Sequence, residues 1–126
     1  MEFDELRAIA ARTENPRVLS ETVEVGGVAA AILSAGGAVY TGVCIDAASS
    51  VGFCAEHAAI AAMVTAGESR ILKVVAVRHG GEVVPPCGRC REFIAQIDPG
   101  NMDAEVMVAP DQVVTVRALL PHYWCD

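Results

Sequence analysis

The sequence has few aromatic residues, few basic residues and no long apolar run. Only 5% of its 126 residues are aromatic, so its core must be built mainly from alanine, valine and other small aliphatic side chains. Nine basic residues against sixteen acidic ones give a formal net charge of −7. A protein that grips nucleic-acid phosphates normally carries a basic face. The composition therefore predicts a small-molecule partner and no nucleic-acid binding.

The sequence also lacks the features of membrane and exported proteins. No segment has the run of apolar residues that crosses a bilayer, and the acidic, amphipathic start does not resemble a secretory signal. We therefore expect a cytoplasmic protein without membrane contact. The length is typical of one domain spanning 1–126, undivided by repeats or linkers. In a reducing compartment, the five cysteines are expected to be metal ligands or reactive thiols rather than disulfides.

Helical and strand-like patterns alternate along the chain. Helical spacing occurs in 3–12, 54–67 and 88–97, and strand patterns occur in 28–34, 38–45, 71–80, 104–109 and from 113 onward. The Gly36-Gly37 pair predicts a hairpin between the first two strands. The order of elements predicts an α/β fold with a mixed five-stranded sheet and helices on its faces. The strand–helix–strand order from residue 71 onward favours parallel pairing there.

Three cysteines stand at the starts of the second and third predicted helices. Cys54 opens the stretch "CAEHA", and Cys87 and Cys90 form the Cys-x-x-Cys of "PPCGRC". Helix N-termini stabilise thiolates, and zinc with three thiolate ligands keeps one tetrahedral position for water, as catalytic zinc sites do. Glu56 follows Cys54 by two residues, where it could move protons for such a water.

Other interpretations of these residues remain open from the spacing alone. A Cys-x-x-Cys in an α/β protein can be a redox pair, and Glu56 alone can be a solvated residue favoured by the helix dipole. A structural zinc needs a fourth protein ligand, and neither Cys44 nor Cys125 has the paired spacing to supply it. Cys-Ala-Glu followed by Pro-Cys-x-x-Cys is more specific than either part. It matches the three-cysteine site with a non-ligand glutamate of zinc deaminases.

From about residue 28 to residue 124, the chain resembles the cytidine deaminase family. The matching segments are "VYTGV" (39–43), "CAE" (54–56), "PCGRCR" (86–91) and "LLP" (119–121). Arg89, between the last two cysteines, makes the chain most similar to the blasticidin-S deaminase branch, whereas many cytidine deaminases have an arginine where this chain has His57. The resemblance implies a three-layer α/β/α fold, a homotetramer, a zinc cofactor and hydrolytic removal of an amino group from a cytosine-type ring.

The resemblance also implies roles for residues around the metal. Zinc with three thiolates carries a net negative charge, and a guanidinium hydrogen-bonded to sulfur would offset it, which is the role expected of Arg89. Backbone groups at Ala55 and Pro86 are expected to contact the substrate's amino group. Trp124, close to the C-terminus, is expected either to reach a substrate pocket, often that of a neighbouring subunit, or to seal an interface edge.

The chain departs from the family where the sugar of the substrate is held. In the segment "TGVCID", Cys44 and Asp46 stand where the family has an asparagine and a glutamate. A thiol cannot replace the paired donor and acceptor of an amide, and the Asp46 side chain is one methylene shorter. Gly26 falls where the family has an aromatic that packs on the substrate, which predicts a missing platform and open volume.

These features together predict an enzyme of altered specificity. We expect hydrolytic deamination at the 4-position of a cytosine-type nucleoside or analogue, with ordinary cytidine a poor substrate. The alternatives are a different small amino-heterocycle handled by the same zinc and glutamate chemistry, or a redox or structural zinc protein that uses Cys87 and Cys90. The charge of −7 argues against a nucleic-acid-editing deaminase.

Overall fold

The structure, a computed structural model, describes residues 1–125. Its elements in chain order are α1 (Phe3–Thr13), β1 (Arg17–Ser20), β2 (Val23–Ser34), β3 (Val39–Ala47), α2 (Ala55–Thr65), β4 (Ile71–Arg78), β5 (Glu82–Val84), α3 (Gly88–Ile97), β6 (Glu105–Ala109), β7 (Gln112–Thr115) and α4 (Val116–Leu119), with short 3₁₀ turns at Ala48–Ser50 and Pro99–Asp103. None of the helices in the described residues combines the length and apolar character needed to cross a membrane.

All seven strands join in one mixed sheet. The predicted hairpin is β2 and β3, which pair antiparallel, and β4 and β6 on either side of α3 pair parallel as predicted. The prediction of five strands is wrong because β1 and β5 also pair into the sheet. β1 is exposed at every position and therefore shows no apolar alternation, and β5 has only three residues.

The helices form layers on both faces of the sheet, which confirms the three-layer α/β/α fold. Side chains alternate between the faces of β4: Val75 and Val77 pack with α1, whereas Val74 and Ala76 pack with α2 and α3. This period of two is the normal geometry of a strand that is covered on both sides. The layer formed by α2 and α3 is the one that carries the cysteine motifs.

The first turns of α2 pack closely on strand β3, and this contact fixes the position of the start of the helix. A Cβ atom at Gly42 would lie 2.5 Å from the Cβ of Ala58, so the absent side chain lets the helix lie directly on the strand. α2 is apolar in composition, but it is not buried on every side. Ala61, Ala62 and Val64 are exposed in the single chain, and Val64 retains 49% of its accessible surface.

Strand β2 changes partner along its length. Its first part, Val23–Val25, pairs with β1, and its second part pairs with β4 from Val28 onward. Between the two parts, the pairing with β3 shifts register, and Gly26 adopts a left-handed conformation with φ +81°. We call the region beyond this bulge (17–20, 23–25 and 45–47) the outer arm of the sheet.

Candidate active site

The fold brings together the three cysteines of the sequence motifs. Cys54 is the N-cap residue of α2 and Cys87 is the N-cap residue of α3, while Cys90 lies in the first turn of α3. The Sγ atom of Cys87 is 3.3 Å from that of Cys54 and 3.4 Å from that of Cys90. All three sulfurs lie within 4.8 Å of one another. Two helix N-termini therefore direct thiols to a common point, as the sequence predicts.

The chemistry of this donor set fits a thiophilic divalent ion. Burial raises the pKa of Cys54 to about 11 and also raises the pKa of Cys90, with a further contribution from the charge of Glu56. At Cys87, burial acts in the same direction, but the Cys90 backbone N–H and the neighbouring thiols outweigh it and leave its pKa below the ordinary value. Three thiolates so close together need a cation at their centre, and tetrahedral Zn²⁺ suits sulfur ligands.

The number of ligands is that of a catalytic site. Among the His, Cys, Asp and Glu side chains in residues 1–125, the group with mutually close ligand atoms consists of these three cysteines and no fourth member. A structural zinc is usually closed by a fourth protein ligand, whereas a catalytic zinc keeps a position for water or substrate. The geometry therefore favours the catalytic form over a structural or redox role.

Glu56 lies in the first turn of α2, and only 4% of its surface is exposed. Burial raises its pKa, although hydrogen bonds from its own backbone N–H and from Cys90 act in the opposite direction. A raised pKa makes a carboxyl group better able to hold a proton, which is a property of general acids and bases. Glu56 does not belong to the group of three cysteines whose sulfurs could hold a metal ion.

A cavity of about 500 Å³ contains Cys54, Cys87 and Glu56 in its lining. This size lies within the range of small-molecule sites. The remainder of the wall comes from the bulge of β2, the end of β3 and the loops before α2 and α3, and includes Val28, Cys44, Asp46, Ser50, Phe53 and Val84. The site is therefore a concave, largely apolar pocket with a few polar groups.

The substrate residues predicted from the family motifs divide into two groups. Cys44, Asp46 and Ala55 line the cavity. Pro86 and Trp124 do not belong to the lining: Pro86 is buried and its carbonyl oxygen accepts a hydrogen bond from Arg91, and Trp124 is 84% exposed. In the single chain, Trp124 therefore does not reach the cavity of its own subunit.

The prediction that Gly26 opens volume at the substrate site is wrong. A Cβ atom at Gly26 would clash with the backbone carbonyl of Asn15, whose N–H donates to the Gly26 carbonyl at 3.1 Å. Gly26 therefore serves the close approach of the chain after α1, and it is not among the residues that line the cavity. Val28 is the residue of β2 that lines the cavity.

Cys44 is held in place by two contacts at the bulge. The Val28 N–H, which the irregular pairing leaves free, donates to the Cys44 Sγ at 3.3 Å. The thiol itself points to the Asp46 carboxylate, with 3.8 Å between Sγ and Oδ2. The side chain is 7% exposed, so it is a fixed part of the cavity wall.

Phe53 is a cavity residue that the sequence analysis missed. It forms an isolated bridge with Ile45 through two backbone hydrogen bonds of 2.9 Å, which closes the loop between β3 and α2. Among the described residues that line the cavity, it is the one aromatic side chain. Its position directly before Cys54 could have pointed to it, but it lies between the predicted strand 38–45 and the predicted helix 54–67, where no element was predicted.

Arg89 and His57 occupy different positions around the metal site. Arg89 is exposed and lines the cavity. In the described part of the chain, His57 rather than Arg89 is in hydrogen-bond contact with a cysteine sulfur, with 3.3 Å between its Nδ1 and the Cys90 Sγ. Burial lowers the pKa of His57, and the positive charge of Arg89 lowers it further.

Arg91 joins two of the sequence motifs. Its Nε donates to the carbonyl oxygen of Pro86 at 2.8 Å, and its Nη1 donates to the carbonyl oxygen of Leu119 at 3.2 Å. The guanidinium thus holds the loop before Cys87 against the end of α4. This contact joins "PCGRCR" and "LLP" in the folded chain.

Comparison with known proteins agrees with this geometry. Residues 7–105 match the family model described as the cytidine and deoxycytidylate deaminase zinc-binding region. A cytidine deaminase from Halalkalibacterium halodurans is 32% identical over 102 residues, which cover 75% of this chain and 74% of that protein. The crystal structure of cytidine deaminase from Mycobacterium tuberculosis superposes with a TM-score of 0.82 at 28% identity, covering 98% of each chain.

A second solved structure, the cytidine deaminase from Burkholderia pseudomallei, superposes with a TM-score of 0.75 at 26% identity, covering 98% of this chain and 100% of the other. The family match spans both cysteine motifs, and the fold match spans nearly the whole chain. The chain thus belongs to the cytidine and deoxycytidylate deaminase family, zinc-dependent hydrolases that act on C–N bonds in cyclic amidines.

Proposed function

We propose that this protein hydrolyses the 4-amino group from a cytosine-type nucleoside or nucleoside analogue, releasing ammonia and a uracil-type product. The observation that carries the proposal is the grouping of three cysteine sulfurs within 4.8 Å beside buried Glu56 in one cavity. Zinc deaminases of cytosine use three protein ligands of this kind together with a glutamate that is not a ligand. The similar proteins described above are named cytidine deaminases.

In this mechanism, Cys54, Cys87 and Cys90 would hold a zinc ion, which would supply the lowering of a water molecule's pKa toward ~7. The carboxylate of Glu56 accepts the proton of the attacking water and passes it to the ring nitrogen beside the reacting carbon. The water oxygen bonds to that carbon, and Glu56 takes the second proton from the hydroxyl that results. Glu56 delivers this proton to the amine, and the C–N bond then breaks, so that ammonia leaves as the ring C=O forms. Its raised pKa suits a group that must hold a proton between these steps.

Substrate recognition is proposed to differ from that of ordinary cytidine deaminases. The wall that would face the sugar presents the thiol of Cys44 and the carboxylate of Asp46. The thiol already accepts a hydrogen bond from the Val28 N–H and points its own proton at Asp46. It therefore offers a ribose hydroxyl only weak hydrogen bonding. This favours a substrate whose ring substituent is not a plain ribose, and blasticidin S or another modified amino-heterocycle is the alternative within the same chemistry.

A substrate panel tests the proposal and its specificity together. We expect the natural protein to be weakly active on cytidine and more active on another member of a panel of deoxycytidine, cytosine, 5-methylcytidine and blasticidin S. Cys44→Asn with Asp46→Glu should raise kcat/KM for cytidine about tenfold or more, because a well-made hydrogen bond contributes ~1 kcal/mol or more and ~1.4 kcal/mol is a factor of ten. The measurement is the loss of cytosine-type absorbance.

The fold should tolerate the double change, since the Oδ1 of an asparagine at position 44 can accept the Val28 N–H in place of sulfur. Glu24→Asp is the matched control: Glu24 pairs with Asp46 in the ladder but does not line the cavity, so cytidine turnover should not change. Efficient cytidine turnover by the natural protein would contradict the altered specificity. No activity on any cytosine-type compound would contradict the proposed function.

We further propose that the active form is a homotetramer. The apolar side of α2 formed by Ala61, Ala62 and Val64 is exposed in the single chain, and small side chains allow helices of neighbouring subunits to cross closely. Trp124 is also exposed in the single chain, and we propose that it packs against a neighbouring subunit in this assembly.

Sedimentation should therefore show a species of four 13.2 kDa chains at micromolar concentration. Ala62→Glu would place a charge in the proposed contact and should shift the distribution to smaller species. Gln112→Glu, at an exposed polar position of β7, should leave it unchanged. A stable monomer of the natural protein at this concentration would refute the proposal.

A further inference from the structure

His57 lies directly beside the metal site but has no part in the mechanism above. It does not line the cavity, and it is not one of the metal-holding group. Its Nδ1 is 3.3 Å from the Sγ of Cys90. Its ring stacks on Phe93 with 4.5 Å between the ring centroids and 21° between the planes. His57 is therefore fixed by two contacts, one to the sulfur of Cys90 and one to the ring of Phe93.

The protonation of the sulfur determines the direction of the hydrogen bond. A free thiol can donate to an imidazole nitrogen, but a thiolate bound to a metal has no proton and can only accept. The Nδ1 atom must then carry the ring's proton, and the Nε2 atom must be unprotonated in the neutral ring. Hydrogen bonds to metal ligands of this kind orient the ligand and adjust its charge.

The positions of the two rings suggest what the contact does. His57 belongs to α2, three residues after Cys54, while Phe93 belongs to α3, three residues after Cys90. The stacked pair therefore spans the two helices that carry the three sulfurs. Because α3 holds the Phe93 ring and α2 holds the His57 ring, the Nδ1–H is presented to Cys90 from across the helix pair.

We propose that His57 is a positioning residue for the metal ligand Cys90: it donates its Nδ1–H to the zinc-bound thiolate, and stacking on Phe93 holds the ring in the orientation for this bond. The role concerns retention and orientation of the metal and is independent of which substrate is used. It goes beyond the proposed function, so substrate assays are not needed to test it.

Three substitutions at His57 separate the hydrogen bond from the stacking. His57→Phe keeps an aromatic ring against Phe93 but removes the donor. In His57→Asn, the amide nitrogen is attached to Cγ, as Nδ1 is, so it can donate from nearly the same place. In His57→Gln, the amide nitrogen lies one bond further out and serves as the matched control. Melting of each purified protein without metal checks that the fold is retained.

The first measurement is the rate at which zinc-loaded protein releases its metal to a chromogenic chelator. Residues that hydrogen-bond to metal ligands typically change metal affinity by ~10–100-fold. We therefore expect faster release by about that factor for His57→Phe and His57→Gln, and release within a few fold of the natural rate for His57→Asn. Equal rates for all four proteins would overturn the proposal. If His57→Phe fails to fold, the difference between the Asn and Gln variants decides it.

The second measurement is the tautomer of His57 in the zinc-loaded protein, from the ¹⁵N shifts of its ring nitrogens. The proposal requires the proton on Nδ1, which a merely space-filling histidine would not require. A proton on Nε2 alone would overturn the proposal whatever the release rates are. Phe93→Leu, which removes the stacked ring, should give a release rate between those of the natural protein and His57→Phe.

Discussion

Glu56→Gln should retain the fold and bound zinc but lose turnover by about 10⁴-fold or more. A single general acid–base group typically contributes ~10²–10⁴-fold, and Glu56 is proposed to act more than once in each turnover, so the loss should lie at or beyond the upper end. The glutamine amide has nearly the same shape and fits the same buried position. It cannot accept a proton from water and return it to the amine.

The measurement is kcat on the best substrate of the panel, with zinc content determined on the same sample. Glu5→Gln is a suitable control, because Glu5 also lies in the first turn of a helix but is exposed and far in sequence from the cysteine motifs. Its turnover should be unchanged. If Glu56→Gln retained a tenth or more of the natural activity, the proton-transfer role would be misassigned.

Removal of the metal should abolish activity altogether. We expect one zinc ion per chain in the natural protein, and a chelator that removes it should reduce turnover below detection until zinc is added back. Cys90→Ala should have the same effect without a chelator, because two thiolates hold zinc far less firmly than three. A zinc ion held by all three sulfurs would link the starts of α2 and α3, so its loss should lower the melting temperature.

Two further observations make this test specific. Cys125→Ala should retain zinc and activity, because Cys125 is exposed and outside the group of three sulfurs. Zinc release should become faster as the pH falls, since burial raises the pKa of Cys54 to about 11 and protons then compete with the metal for its sulfur. Full zinc content in Cys90→Ala, or zinc well below one per chain in the natural protein, would refute the assigned ligand set.

The parts of the fold with strong apolar periodicity could be predicted from the sequence. The continuous apolar run of β4 and the Gly36-Gly37 turn follow directly from patterns of burial and backbone freedom. β1 could not be found this way: its four residues are all exposed, and its place in the sheet depends on pairing with β2 rather than on its own side chains. β5 has three residues directly before Pro85, too few for an alternation to show.

The site was predictable where its residues stand close in sequence and unpredictable where tertiary contacts bring them together. Spacing alone placed Cys54, Cys87 and Glu56 at helix starts. The position of Phe53 in the cavity wall depends on its bridge to Ile45, and no local sequence pattern predicts this bridge. The misplacement of Gly26 has a similar cause, because a bulge breaks the alternation of β2 and shifts which residue faces the cavity.

Strand β2 changes partner along its length, and this separates the part of the fold that carries the metal site from the part that carries Asp46. The sulfurs and Glu56 are carried by α2 and α3, which pack on the part of the sheet where β2 lies against β4. Asp46 belongs to the outer arm, whose ladder with β2 lies on the other side of the bulge at Gly26. Under the proposed function, new side chains in the outer arm would give a descendant of this chain a new substrate, while α2 and α3 would keep the metal chemistry unaltered.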